Sequence, residues 1–188
     1  MLDRPRRALS ERQGVLSDLA TLDQALYEAV TITRTPALDS ALRRLSAAAD
    51  HSKISFAIAG LLALRPGSTR RAALAGVAAI GVASATANLL GKRLVRRPRP
   101  HRAEDSPFPG RHVPMPASAS FPSGHTASAV AFAAAVGPAV PAATLPLGLL
   151  ACAVGYSRVH TGVHYPGDVI AGAVLGTGAA AVVLAATR

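Results

Sequence analysis

The sequence predicts an all-α protein, an integral-membrane helical bundle with about five transmembrane helices and an N-terminal amphipathic helix. Three observations carry this. Half of the 188 residues are hydrophobic and only 16% are charged, where a soluble domain carries about a quarter. Mean hydropathy is correspondingly positive, at +0.32. Apolar stretches recur along the chain at lengths near the roughly 20 residues that a helix needs to cross hydrocarbon. Small residues dominate those stretches, and small residues let helix backbones approach closely where lipid gives no hydrophobic drive to association.

Residues 1–46 read as a basic and amphipathic N-terminal segment, and 47–188 as the membrane domain. The opening "MLDRPRRALSERQG" is basic, but no apolar core with a small-residue cleavage site follows, so no cleavable signal peptide is expected. "LSDLATLDQALYEAV", 16–30, places apolar residues at helical spacing with acids on the other face. It is too polar to span, and reads either as an interfacial helix or as an ordinary packed amphipathic one. "ISFAIAGLLAL" from 54 is short for a span unless Ala47, Ala48 and Ala49 extend it, which carries Asp50, His51 and Lys53 towards one interface. The second span, 72–91, contains no charge. "HTASAVAFAAAVG" from 125 and "AATLPLGLLACAVGY" from 142 form a helical hairpin parted by the breaker "GPAVP", each member completed by flanking residues. Residues 169–187 make the last span. Cys152 is the only cysteine, so no internal disulfide can form.

Against this apolar body stands a net charge of +10. Such an excess suits nucleic acid, an anionic membrane surface or an anionic substrate. The polar groups fall in three clusters. "KRLVRRPRP", 92–100, follows the second span; "FPSGHT", 121–126, opens the third; "YSRVHTGVHYPGD", 156–168, joins the fourth to the fifth. Two spans separate the loop at about 92–123 from that at about 157–168, so both emerge on one face of the membrane.

Taken singly, each cluster has an ordinary reading. The arginines of the first can snorkel to lipid headgroups and stop the span. No aromatic residues are interleaved with them, which argues against nucleic acid. The second can be a plain N-cap with an interfacial His125, although a helix start with free N–H groups and a close-approach Gly124 is also an anion site. In the third, Asp168 can fold back onto the imidazole of His164 and fix its tautomer. His160 is an extra histidine with no assigned role. A metal site from His125, His160, His164 and Asp168 is disfavoured by the cations beside it. Taken together, Lys92, Arg99, Arg158 and a glycine-bearing helix start make a trap for a tetrahedral dianion, with two histidines as nucleophile and acid.

The pattern K-x6-RP at 92–100, PSGH at 122–125 and SR-x5-H-x3-D at 157–168 resembles the three-part signature of the type-2 phosphatidic acid phosphatase superfamily, in its membrane-bound bacterial lipid phosphatase branch. Each part alone is weak; the ordered trio is specific. The resemblance implies a metal-independent phosphatase that needs no cofactor and cleaves the phosphate monoester or diphosphate of a membrane lipid, phosphatidate-like or polyprenyl. It implies His164 as the nucleophile forming a phosphohistidine, Asp168 orienting it, and His125 protonating the leaving alcohol. Lys92, Arg99, Arg158, the Ser123 hydroxyl and the Gly124 N–H would hold the phosphoryl oxygens. The partners implied are a lipid phosphate and membrane lipids, not nucleic acid; no sequence feature speaks to oligomeric state. Two other readings use the same residues: a non-enzymatic membrane protein whose basic face binds anionic lipid, and a vanadate-dependent haloperoxidase-like enzyme, which would have a soluble scaffold. A count of Lys and Arg places the site in the cytoplasm. Several of those charges belong to the clusters, however, and related bacterial enzymes commonly face outward, so the expected location is a multi-pass position in the cell membrane with the site extracytoplasmic.

Overall fold

A computed structural model describes residues 3–102 and 108–187, all helix and connecting segment. The chain opens with α1 (Asp3–Ile32) and α2 (Pro36–Ala48). A 3₁₀ turn at Asp50–Ser52 leads into α3 (Lys53–Ala63). Next comes α4 (Ser68–Ala85), which runs through a π-helical segment, Thr86–Gly91, into the single turn α5 (Lys92–Leu94). An irregular stretch with a 3₁₀ turn at Pro109–Arg111 precedes α6 (Gly124–Val136), α7 (Pro141–His160) and α8 (Pro166–Ala186). Proline marks the first turn of α2, α7 and α8, where its fixed φ suits a helix and its missing N–H costs nothing.

All five expected apolar stretches are helical, but they are not five long spans. Among the described residues three rods are long and apolar enough to cross a membrane: Ser68–Leu94, Pro141–His160 and Pro166–Ala186. With 11 and 13 residues, α3 and α6 reach only about 17 and 20 Å at 1.5 Å per residue. Ala47–Ala49 do not lengthen α3, because the chain breaks at His51 and Ser52, both left-handed with φ of 55° and 58°. Similarly, α6 is not completed by its flanks: Ser123 caps its start and the GPAVP breaker ends it. The amphipathic stretch 16–30 lies inside the much longer α1, and α2 has no counterpart among the sequence expectations.

The centre of the bundle is α6, packed against α4, α7 and α8, while α3 lies on α4. Its interior is built from small side chains, with Ala79, Ala83, Ala127, Ala131, Ala135 and Ala180 buried together. The large aliphatics point outward: Leu74, Leu145, Leu149, Ile170, Val174 and Val182 are between 61% and 71% exposed. Small residues inside and leucines outside are what helices immersed in lipid require, and the chain is a membrane protein on that reading of its three rods. Closest approach occurs where α8 crosses α6. A Cβ on Gly172 would stand 2.5 Å from the Ser123 carbonyl oxygen, and one on Gly176 would collide with the Ala127 carbonyl.

Gly176→Val should therefore destabilise the bundle by about 1–3 kcal/mol through overpacking. Gly178, which has no atom within 4 Å of its would-be Cβ, should accept alanine without loss. Thermal unfolding of the purified variants in detergent checks the contrast.

Candidate active site

At one end of the bundle Arg99 and Arg102 lie against the turn that joins α7 to α8. That turn is shaped by Gly162. With φ of 71°, it is the left-handed residue after the helix. The Val163 N–H bonds to the Arg158 carbonyl at 3.1 Å and the Gly162 N–H to that of Val159 at 2.9 Å. This pair of bonds is a Schellman ending. It turns the chain sharply so that His164 comes back beside Arg158. The side chain of Arg102 then takes the carbonyls of Thr161 and Gly162 at 2.9 and 3.2 Å.

A cleft of about 220 Å³ opens here, and Lys92, Arg99, Gly124, His125, Arg158 and His164 all line it. Six of the eight expected site residues thus share one wall. Asp168 stands behind His164, fully buried. Ser123 is also fully buried and does not line the cleft; its hydroxyl caps α6 together with the Thr126 hydroxyl, 2.9 Å away. His160 is buried against Asp39, 3.0 Å from its carboxylate, away from the cleft.

Arg99 organises one side. Its Nε and Nη1 donate to the carbonyls of Ser118 and Val163 at 2.8 and 2.7 Å, and Nη1 lies 3.3 Å from His164 Nε2. A guanidinium has donors only. The contact therefore requires a lone pair on Nε2, which leaves the proton on Nδ1, the nitrogen facing Asp168. That second contact is 3.5 Å, too long for a full hydrogen bond. Burial draws the His164 imidazole down to about 4; the nearby Asp168 carboxylate opposes this, and the charges of Arg99 and Arg158 reinforce it. The ring is neutral at physiological pH, with its Nε2 lone pair turned to the cleft cations.

On the other side, His125 Nε2 stands 2.7 Å from Asp50 Oδ1. The left-handed turn at His51–Ser52 brings Asp50 there, at a cost of roughly 1–2 kcal/mol per residue. Arg158, 2% exposed, donates from Nη1 to the Ser46 hydroxyl at 2.6 Å and lies 3.8 Å from Asp50. Its buried Nε–H finds no acceptor among the described residues, and an unmet buried donor is costly. Three cations, one unsatisfied donor and a free helix start are together chemically suited to an oxyanion.

Several supporting residues carry no local sequence signal. Arg111, almost fully buried, donates to the Val30, Thr31 and Thr33 carbonyls at the end of α1 and to Asp39 of α2. It satisfies orphan carbonyls of a helix terminus. Ser118 accepts from Lys92 Nζ at 3.2 Å, and Asp39 binds Arg111 and His160 together. Asp50 sits 75 positions from His125, so only the fold unites them.

Comparison with known proteins places the chain beside a family of lipid-handling phosphatases by sequence and fold, and says nothing of individual side chains. The PAP2 superfamily model matches residues 72–188. A decaprenylphosphoryl-5-phosphoribose phosphatase of Mycobacterium tuberculosis (strain ATCC 25618 / H37Rv) is 39% identical over 151 residues, 79% of this chain and 80% of that protein. A lipid A 1-phosphatase of Rhizobium johnstonii is 42% identical over 98 residues, 48% of this chain and 37% of its own. Among solved structures, Aquifex aeolicus LpxE aligns with a TM-score of 0.72 at 26% identity, covering 87% of this chain and 95% of that one. A transmembrane PAP2 type phosphatidylglycerolphosphate phosphatase from Bacillus subtilis shares the fold, with a TM-score of 0.70 at 22% identity over 90% of this chain and 86% of that one.

If the cleft is the oxyanion receptor, Arg158→Ala should weaken competitive inhibition by inorganic phosphate about 10- to 100-fold. That corresponds to losing a charge-assisted hydrogen bond of about 1.5–3 kcal/mol. Ser46→Ala, which only frees the guanidinium, should give a smaller loss. An unchanged inhibition constant in Arg158→Ala would place the anion elsewhere.

Proposed function

The chain belongs to the PAP2 superfamily and is a phosphatase, and from that premise we propose that it hydrolyses the terminal phosphate of a membrane lipid, without a metal, through a phosphohistidine on His164. The observation that carries this is the Arg99 contact, which turns an Nε2 lone pair of a neutral, buried His164 towards a cleft walled by cations. In this reading Nε2 attacks phosphorus in line as the bond to the leaving oxygen breaks, and His125 delivers a proton to that oxygen. His125 then takes a proton from water as the water oxygen attacks the phosphohistidine, which releases phosphate and restores His164. Asp168 holds Nδ1–H throughout and stabilises the positive ring; its 3.5 Å contact is of the kind that tightens once substrate is bound. Lys92, Arg99, Arg158 and the Gly124 N–H hold the phosphoryl oxygens, in keeping with phosphoryl transfer as a matter of positioning and charge. Ser123 contributes by capping the helix start that carries Gly124 and His125.

For the substrate we favour a polyprenyl-linked sugar phosphate. The relatives that match across about four-fifths of both chains are decaprenylphosphoryl-5-phosphoribose phosphatases, whereas the lipid A 1-phosphatases match under half of this chain. The polar side chains of Ser84 and Asn88 on the cleft wall supply partners for sugar hydroxyls. The lipid tail would lie along the aliphatic outer face of the rods. We place the cleft at the extracytoplasmic face of the cell membrane, because several of the positive charges that a cytoplasmic assignment would count, Lys92, Arg99 and Arg158, line the cleft.

Phosphate release by purified protein in EDTA should be abolished in His164→Ala and His125→Ala. Across phosphatidate, phosphatidylglycerol phosphate, polyprenyl diphosphate and polyprenyl-phosphoryl pentose phosphate, the last should give the highest kcat/KM. Full activity in either histidine variant removes that residue's role; a preference for phosphatidate removes the substrate assignment. For orientation, His101→Cys in a Cys152→Ala background should react with a membrane-impermeant maleimide in intact cells. Labelling only after lysis reverses the topology.

A further inference from the structure

Asp168 is a fully buried carboxylate, and what holds it lies outside the cleft. Its Oδ2 accepts the Ser120 hydroxyl and the Tyr165 N–H, the latter at 2.9 Å. Its Oδ1 accepts Nη1 of Arg97 at 3.0 Å. Arg97 sits within the K-x6-RP stretch but at one of its unspecified positions, and nothing in the mechanism above uses it. It does not line the cleft. It lines instead an apolar groove between α1 and α8, with its guanidinium 4.0 Å over the Tyr165 ring. Its second nitrogen, Nη2, lies 2.7 Å from Asp23 Oδ2 on α1. Asp23 is itself fixed, since its Oδ1 accepts the Gly167 N–H at 2.7 Å. A side chain on Gly167 would meet that carboxylate at 2.9 Å.

We propose that Arg97 is a positioning residue for the reaction, and that Asp23 of α1 anchors it, so that the fork Asp23–Arg97–Asp168 sets the carboxylate behind His164. The inference rests on His164 being the nucleophile. A buried carboxylate left without a cation either rotates towards its remaining donors or captures a proton. An Asp168 that is protonated or turned away no longer holds the His164 proton on Nδ1, and the ring is then free to carry that proton on Nε2, the tautomer that cannot attack. Arg97 prevents both outcomes by supplying charge and direction at Oδ1, which leaves Oδ2 to face the imidazole. The guanidinium can do this because its planar fork reaches two carboxylates at once, which an ammonium cannot. Since the phosphate-holding cations lie on the other side of His164, the fork acts on the chemical step and not on substrate capture. It also makes α1, which lies outside the family-matched residues 72–188, part of the catalytic unit.

The test uses full-length protein in detergent, with steady-state phosphate release and thermal unfolding measured on each variant. Arg97→Gln should lower kcat about 10- to 100-fold, the range for residues that orient a reacting group from behind, with KM unchanged. Arg97→Lys should recover part of the loss. Asp23→Asn keeps an oxygen for the Gly167 N–H, and should lower kcat several-fold on its own. In the double variant Asp23→Asn should add nothing beyond Arg97→Gln, since residues acting through one contact are not additive. Wild-type kcat in Arg97→Gln, a change confined to KM, or additive losses would each overturn the proposal. Should Arg97→Gln not fold, Asp23→Asn alone decides it, because an unchanged kcat there breaks the fork. His164→Ala measured in parallel separates the two readings: an active His164→Ala removes the nucleophile, whereas an inactive one beside a fully active Arg97→Gln removes only the fork.

Discussion

The buried carboxylate of Asp168 is the constraint around which this end of the molecule is arranged. An ionised group with no access to water must have its lone pairs met by the protein. Here the donors come from Arg97 and Ser120 in the segment before α6 and from the Tyr165 N–H at the head of α8. The Asp168 backbone carbonyl adds a fourth tie, accepting the Ser123 N–H at 2.9 Å where α6 begins. One residue therefore ties the starts of two helices and a long connection together. His164 is placed by what surrounds it: Asp168 on one side, Arg99 on the other, and a Schellman turn that leaves its backbone little choice.

The rest of the bundle makes such a polar knot tolerable. Alanine and glycine inside α4, α6 and α8 allow backbones to pack closely, and the aliphatic side chains are left for lipid. The short α6 fits this plan. Surrounded by α4, α7 and α8, it has little need to match the thickness of hydrocarbon. Its N-terminus instead sits at a depth where the helix start, Gly124 and His125 open into the cleft. The polar chemistry is confined to one end of the rods, where a lipid headgroup and water can both arrive.

Much of this was legible in the chain. Uncharged runs and helix breakers located α3, α4, α6, α7 and α8, because hydropathy and proline act locally. Lys92, Arg99, Gly124, His125, Arg158 and His164, which line one cleft, were picked out because their chemical types stand at helix ends where an anion could be held. What escaped was chemistry that depends on the tertiary fold. Asp50 meets His125 only through a left-handed break that neither His51 nor Ser52 announces. In "RRPRP" nothing distinguishes Arg97, which turns to Asp168 and Asp23, from Arg96 beside it. Arg111 resembles any loop arginine until the carbonyls at the end of α1 surround it. Ser123 differs from these: its residue type suits an anion site, and in the fold its buried hydroxyl pairs with that of Thr126. Helix ends were harder to read, since composition marks an apolar run without marking where the backbone stops being helical, and α3 and α6 have only 11 and 13 residues.

The contacts made by α1 and α2 change what counts as the minimal working unit. Ser46 grips Arg158, Asp50 faces His125, Asp39 joins Arg111 to His160, and Asp23 reaches Arg97. All four acceptors lie upstream of residues 72–188, the portion that the PAP2 superfamily model matches. A chain trimmed at that boundary would retain every signature residue and yet expose buried cations with nothing to neutralise them. Sequence matching alone would then count as complete a fragment whose electrostatics had been dismantled.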